Sequence, residues 1–94
     1  MDMYNSEKKK KEKVSNEFKK EFLHLSDHDL IIRFNTLSSN IRKKRFSYGV
    51  TMSIYMKEMH EELNNRFDIS DIGNDSQISF KNQIRISNNK IIIC

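Results

Sequence analysis

The sequence predicts an α+β domain in which two or three helices precede a short C-terminal antiparallel β-hairpin. Three observations predict this fold. Apolar residues recur at helical spacing as far as Phe67. Beyond Phe67 they alternate with polar residues, a period of two that is typical of strands. Asn88-Asn89 separates two such runs, and asparagine tolerates the positive φ that a two-residue hairpin turn requires.

The first helix is indicated by an apolar line over 14–25, formed by Val14, Phe18, Phe22 and Leu25. We expect it from about Lys13 to His24. Before it, residues 1–12 carry the run Lys8-Lys9-Lys10-Lys11. Ion pairs at helical spacing favour a helix there, but a flexible or frayed segment suits the composition equally. Residues 13–94 then form a single small domain.

Capping residues mark the start of the second helix. Ser26 suits the N-cap, and Asp29 lies at the N3 position of a capping-box variant. The helix should run to about Lys43, with one apolar face. That face comprises Leu30, Ile31, Phe34, Leu37 and Ile41.

The third helix follows a turn at 46–49 and has a methionine-rich apolar stripe. We interpret that stripe as core rather than as an adaptable binding surface. The stripe comprises Met52, Tyr55, Met56, Met59, Leu63 and Phe67. Glu58 and Glu62 are predicted to face outward.

The hairpin is predicted from Ile84 and Ile86 on one side of the turn and Ile91–Ile93 on the other. A lone hairpin is marginal in water, so it should pack on the helices or pair with a third strand from 78–80. The apolar last strand also predicts edge pairing, and therefore a homodimer, as one alternative.

Composition limits the class of protein. The chain has 94 residues, 36% of them apolar and 32% charged, with a formal charge of +4. The charge is +3 over 1–20, +2 over 21–45, −3 over 46–72 and +2 over 73–94. A basic front half therefore precedes an acidic middle. The many Lys, Asn and Ile residues, and the absence of Ala and Pro, are typical of an AT-rich genome.

No segment has the features of a signal peptide, a membrane span or a lipidation motif. The sequence therefore predicts a cytoplasmic location and no membrane partner. Cys94 is the single cysteine, and no Cys/His spacing matches a zinc site.

The main candidate site is a basic run at the end of the second helix. Cations next to aromatic residues suit a phosphate backbone and base stacking. The competing explanation is that cations at a helix C-terminus complement the helix dipole. We expect binding only if this run converges with the lysines of the first helix. The candidate nucleic-acid-binding residues are Arg42, Lys43, Lys44, Arg45, Phe46, Tyr48 and Lys20, with Arg33 as an extension.

The sequence contains no recognisable arrangement of catalytic residues. His24 and His28 straddle the predicted cap at Ser26, and the residue four after His60 is Asn64 rather than the second histidine of a zinc-hydrolase helix. The acids of 58–75 are expected to be solvated. We therefore predict a non-enzymatic protein without cofactors.

Two functions remain open. One is nucleic-acid backbone binding through the basic run. The alternative is a protein–protein interaction module, such as a phage or bacterial accessory factor, that uses the acidic third helix and the terminal strand.

Overall fold

The computed structural model describes residues 3–44, 49–73 and 80–94, which form three helices followed by a two-stranded antiparallel hairpin. The predicted α+β class is confirmed. The helices are α1 (Met3–His24), α2 (Asp27–Arg42) and α3 (Val50–Arg66), and the strands are β1 (Ile84–Ser87) and β2 (Lys90–Ile93).

Helix α1 begins at Met3, ten residues before its predicted start at Lys13. The Lys-rich stretch therefore belongs to the same helix as the second half of α1, which packs against the core. A boundary between a flexible segment 1–12 and a domain 13–94 stays a prediction.

Helix α2 starts at the predicted cap. The backbone N–H of Asp29 donates to Ser26 Oγ at 3.1 Å, which satisfies one of the N–H groups left free in the first turn. Asp27 and Asp29 place negative charge at the positive end of the helix dipole.

Helices α1 and α3 run parallel. The contacts between them show this, because later residues of α1 meet later residues of α3. Lys11 lies beside Val50, Lys19 Nζ lies 3.7 Å from Glu58 Oε2, and the Arg66 guanidinium donates to the Phe22 carbonyl oxygen at 2.8 Å.

Helix α2 runs antiparallel to α3. Its first residue, Asp27, pairs with Arg66 at the end of α3, with Nη1 and Oδ1 3.0 Å apart. Asn40, near the end of α2, lines the same depression as Met52, near the start of α3. The end of α2 and the starts of α1 and α3 therefore lie at one end of the molecule.

The core lies between the helices and the inner face of the hairpin. Phe34 of α2 stacks on Phe80, with ring centroids 4.3 Å apart. Phe18 and Phe22 of α1 each form a T-shaped pair with Tyr55 of α3, with ring centroids 5.1 Å apart. The buried apolar residues are Phe22, Leu30, Ile31, Phe34, Leu37, Met56, Met59, Leu63, Phe67, Ile69, Ile72, Phe80, Ile84 and Ile91.

The hairpin turn forms as predicted. Asn88 and Asn89 have φ values of 51° and 61°, and β1 pairs with β2 in the register Ile84↔Ile93 and Ile86↔Ile91. Positive φ at both central positions is the signature of a type I′ turn, which matches the twist of the flanking strands.

The amide of Asn35 fastens the hairpin to α2. Its Oδ1 accepts the Ile84 N–H at 2.8 Å, and its Nδ2 donates to the Ile84 carbonyl oxygen at 2.9 Å. Gln83 Nε2 donates to the Asn35 carbonyl oxygen at 2.8 Å. One side chain therefore fills the place that a neighbouring strand would occupy.

The other edge of the hairpin carries a short parallel bridge between Asp68 and Lys90. The Ile91 N–H donates to the Asp68 carbonyl oxygen at 2.9 Å, so this part of the β2 edge is already paired. Of the third strand considered over 78–80, only Phe80 lies among the described residues, and it belongs to a turn. The homodimer through β2 stays a prediction.

Candidate functional site

The basic run lies at the end of α2, as the sequence indicates, and its described side chains are exposed. Lys43 is the C-cap, and its N–H donates to the Ser39 carbonyl oxygen at 3.0 Å. Lys44 follows in the left-handed region, with φ of 57°. Glycine is favoured at that position because it lacks a Cβ, so a lysine there is held at some conformational cost.

Three of the predicted site residues, Arg45, Phe46 and Tyr48, lie outside the described residues. The stacking part of the predicted site therefore stays a prediction. The charged part rests on Arg42, Lys43 and Lys44.

The lysines of the first half of α1 lie at the same end of the molecule. Lys11 lines an open depression of about 600 Å³ with Gly49, Val50, Ser53 and Ile54 at the start of α3. Lys44 lies five residues before Gly49 in the sequence. A segment of five residues reaches at most about 18 Å when fully extended. Both basic segments therefore lie towards the end of the molecule where α3 begins.

We call seven side chains of these segments, all exposed, the basic end. Glu12 is the single acid within 9–13 and 42–44. The basic end comprises Lys9, Lys10, Lys11, Lys13, Arg42, Lys43 and Lys44.

The structure does not bring Lys20 to the basic end. Lys20 lies one turn before the end of α1, next to the corner where α2 begins. Arg42 lies at the far end of α2, whose 16 residues extend about 24 Å. Lys19, also expected to converge, faces Glu58 instead.

The Arg33 side chain already has partners within the fold. Its guanidinium is hydrogen-bonded to Glu21 and lies near the Tyr55 side chain. These two contacts raise the pKa of Arg33 above its usual range. Its charge is therefore already paired and does not extend the basic end.

A polar groove continues from Lys43 along the exposed side of α2. It has a volume of about 450 Å³ and separates α2 from the start of the hairpin. Hydroxyl and amide side chains that can donate to phosphate, sugar or base oxygens line most of it. The lining residues are Ile32, Asn35, Thr36, Ser39, Asn40, Lys43 and Gln83.

The prediction that Glu58 faces solvent is wrong. Glu58 is only 3% exposed, and Glu62 is half-buried with its Oε2 accepting from Arg66 Nε at 2.8 Å. The reason is that α3 is covered on two sides. The methionine stripe faces the core, and α1, which packs on Tyr55 at the border of that stripe, also covers the neighbouring face that carries Glu58.

Glu58 has an unusual environment for a carboxylate. Within the described part of the chain, its Oε2 has no hydrogen-bond partner, and Lys19 Nζ, 3.7 Å away, is beyond hydrogen-bonding distance. Burial of a charge is costly unless hydrogen bonds satisfy it. A cavity of about 160 Å³ adjoins it, lined by Lys19, Leu23, Glu58, Glu61, Glu62 and Asn65.

The histidine candidates have no metal-binding geometry. In the described ranges, no group of three or more His, Cys, Asp or Glu side chains could hold a metal ion. Asp27, between the two histidines, pairs with Arg66. His60, which is buried, donates through Nε2–H to the Gly73 carbonyl oxygen at 2.9 Å.

Across the described residues, no helix is both long enough and apolar enough to span a bilayer. Comparison with protein-family models, with curated proteins and with solved structures finds no match to this chain.

Proposed function

We propose that the protein binds nucleic acid without catalysis, by contacting the phosphate backbone through the basic end. One observation carries the proposal. The parallel course of α1 and α3 and the antiparallel course of α2 collect two separate basic segments at one end of the molecule.

The chemistry of the basic end suits phosphates rather than bases. Lysine offers a flexible point charge to a phosphate, whereas sequence is recognised by rigid contacts to base edges. The proposed binding is therefore sequence-independent and strongly salt-dependent, because it releases condensed counterions. The groove beside Lys43 supplies hydrogen-bonding groups next to the cations.

The test is binding of a fluorescein-labelled single-stranded oligothymidylate, measured by anisotropy over a range of salt concentrations. The variant Arg42→Gln/Lys43→Gln should bind more weakly at low salt. Its plot of log affinity against log salt should be shallower by about 0.7 for each cation removed that contacts a phosphate.

A charge-matched control is Lys20→Gln/Lys57→Gln, which removes two exposed lysines that lie away from the basic end. It should retain most of the affinity and the original slope. The proposal fails if the wild-type protein does not bind at low salt, or if the control loses as much as the test variant.

A protein partner is the alternative. The second half of α3 offers carboxylates, and the terminal strand offers Ile93, which is 44% exposed. The buried carboxylate of Glu58 beside an open cavity favours this alternative specifically, because it is costly within the isolated chain.

A further inference from the structure

We propose that the cavity between α1 and α3 is a binding site for an arginine side chain of a protein partner. This inference rests on the alternative, protein-binding function and does not depend on nucleic-acid binding. We call the cavity lined by Lys19, Leu23, Glu58, Glu61, Glu62 and Asn65 the glutamate pocket.

The first argument is the unmet hydrogen bonding of Glu58. Its carboxylate is buried, and Oε2 lacks a hydrogen-bond donor among the described residues. A guanidinium group presents five N–H donors in a planar fork that matches carboxylates. The cavity of about 160 Å³ has room for such a group.

The second argument is charge. The pocket is lined by three glutamates, and Glu61 and Glu62 lie three and four residues after Glu58 on α3, spacings at which like charges repel. Lys19 approaches Glu58 loosely, and Arg66 pairs with Glu62. Glu61 remains exposed at the rim. Glu61 has no ion pair among the described residues and is available to an incoming cation.

The third argument is the mouth of the pocket. Leu23 lines it and is 64% exposed, although it is a large apolar side chain. The methylene stem of arginine covers apolar surface when its charged head binds a polar group. A leucine beside three glutamates fits both parts of an arginine side chain, whereas a metal ion would make no use of Leu23. The planar fork distinguishes arginine from lysine, whose stem could also cover Leu23.

Lys19 acts as an internal competitor in this account. Its ammonium group lies 3.7 Å from the atom that the guest must reach, and more than half of its side chain is exposed. Lys19 can therefore move away into solvent when arginine enters. Removing the charge of Lys19 should therefore strengthen arginine binding. If the Lys19–Glu58 pair only stabilised the fold, removing that charge would not strengthen binding.

The experiment is an NMR titration of the full chain with N-acetyl-L-arginine amide, using the citrulline analogue as the uncharged isostere. Saturable amide shifts are expected around Lys19, Leu23 and 58–65, with none from citrulline. Glu58→Gln should weaken binding at least about tenfold, and Lys19→Met should strengthen it several-fold.

The matched control is Glu17→Gln, an exposed glutamate of α1 that does not line the pocket, which should bind as the wild type does. If Glu58→Gln does not fold, Glu61→Gln at the rim gives the same test, with a loss of about threefold. Non-saturating shifts, equal shifts from citrulline, or unchanged binding in the folded glutamate variants would overturn the proposal. Unchanged oligothymidylate binding by Glu58→Gln separates this site from the basic end.

Discussion

At the scale of single residues, Arg66 joins all three helices. From the end of α3, its guanidinium donates to the carbonyl oxygens of Phe22 and Leu23 at 2.8 and 3.3 Å, and pairs with Asp27 of α2. The carbonyl oxygen of Phe22 also accepts the Leu25 N–H at 3.1 Å, so Arg66 adds charged donors to the last carbonyls of α1 and complements the helix dipole there.

Replacement of Arg66 by alanine should therefore destabilise the fold by about 2 kcal/mol, because several charge-assisted hydrogen bonds are lost together. Arg66→Lys should recover little, since lysine lacks the planar fork. Urea unfolding measures both. Arg85→Ala, at an exposed position on β1, is the control and should stay within about 0.5 kcal/mol of the wild type. Equal effects at the two positions would contradict the assigned role.

The backbone of Lys44 gives a second residue-scale prediction. Because φ is 57° there, Lys44→Gly should stabilise the protein by about 0.5–1 kcal/mol in spite of the greater freedom of glycine in the unfolded chain. Lys43→Gly, where φ is −85°, should destabilise it. Thermal unfolding of the two variants checks the sign, and a loss of stability in Lys44→Gly would refute the account of this cap.

The Asp68 carboxyl makes the stability of the fold depend on pH. Hydrogen bonds from Ser70, first from its backbone N–H at 2.9 Å, lower the pKa of the Asp68 carboxyl, with a smaller effect of Lys90. A lowered folded-state pKa gives a stabilisation that is complete above the unfolded value of about 3.9 and is lost as the pH falls through the folded value.

An NMR titration of the Asp68 carboxyl carbon should therefore show a pKa below that of the unfolded chain. Ser70→Ala removes the hydroxyl and should move the pKa part of the way back. Agreement between the folded and unfolded values in the wild-type protein would show that Ser70 does not hold the carboxylate.

At the scale of elements, local signals in the sequence were sufficient for the start of α2 and for the hairpin turn, whereas α1 begins ten residues before its predicted start. Ser26 and Asp29 specify a cap through atoms three residues apart, and Asn88-Asn89 specifies a turn through its own backbone preference. Asn35 and Arg66 were missed because their partners are 49 and up to 44 residues away, and no periodicity reports such pairs.

The burial of Glu58 was mispredicted for a related physical reason. A single apolar stripe on α3 predicts one buried face, but α1 also covers the adjacent face that carries Glu58. A polar residue on that face is buried by the arrangement of three helices, which depends on the whole fold. Of the candidate site, the sequence could indicate the charges at the end of α2 but not which lysines of α1 lie at the same end of the molecule.

The attachment of the hairpin to α2 should depend on the Asn35 amide. Asn35→Leu leaves the half-buried N–H and C=O of Ile84 without partners and should cost about 2 kcal/mol. It should also speed hydrogen exchange at Ile84, which reports opening of this edge directly. Asn40→Leu, on the same helix, is the control. Unchanged exchange at Ile84 in Asn35→Leu would mean that packing alone holds the hairpin.

At the scale of the whole molecule, charge is divided between two ends. The basic end gathers the first half of α1 and the last turn of α2, and the second half of α3 carries Glu58, Glu61 and Glu62. Such a division orients an approaching polyanion towards one end and away from the other. The same division separates the two proposed partners. The phosphate backbone of a nucleic acid is attracted to the basic end, and an arginine side chain is attracted to the glutamate pocket.

The most direct test of the central claim is an NMR titration of the protein with oligothymidylate at low salt, followed residue by residue. Amide shifts should concentrate in 9–13 and 42–44 and should decrease as salt is added, while Lys20 and 58–62 stay unchanged. Absence of shifts, or shifts centred on Lys20 or on the acidic half of α3, would contradict the assignment of the basic end as the nucleic-acid surface.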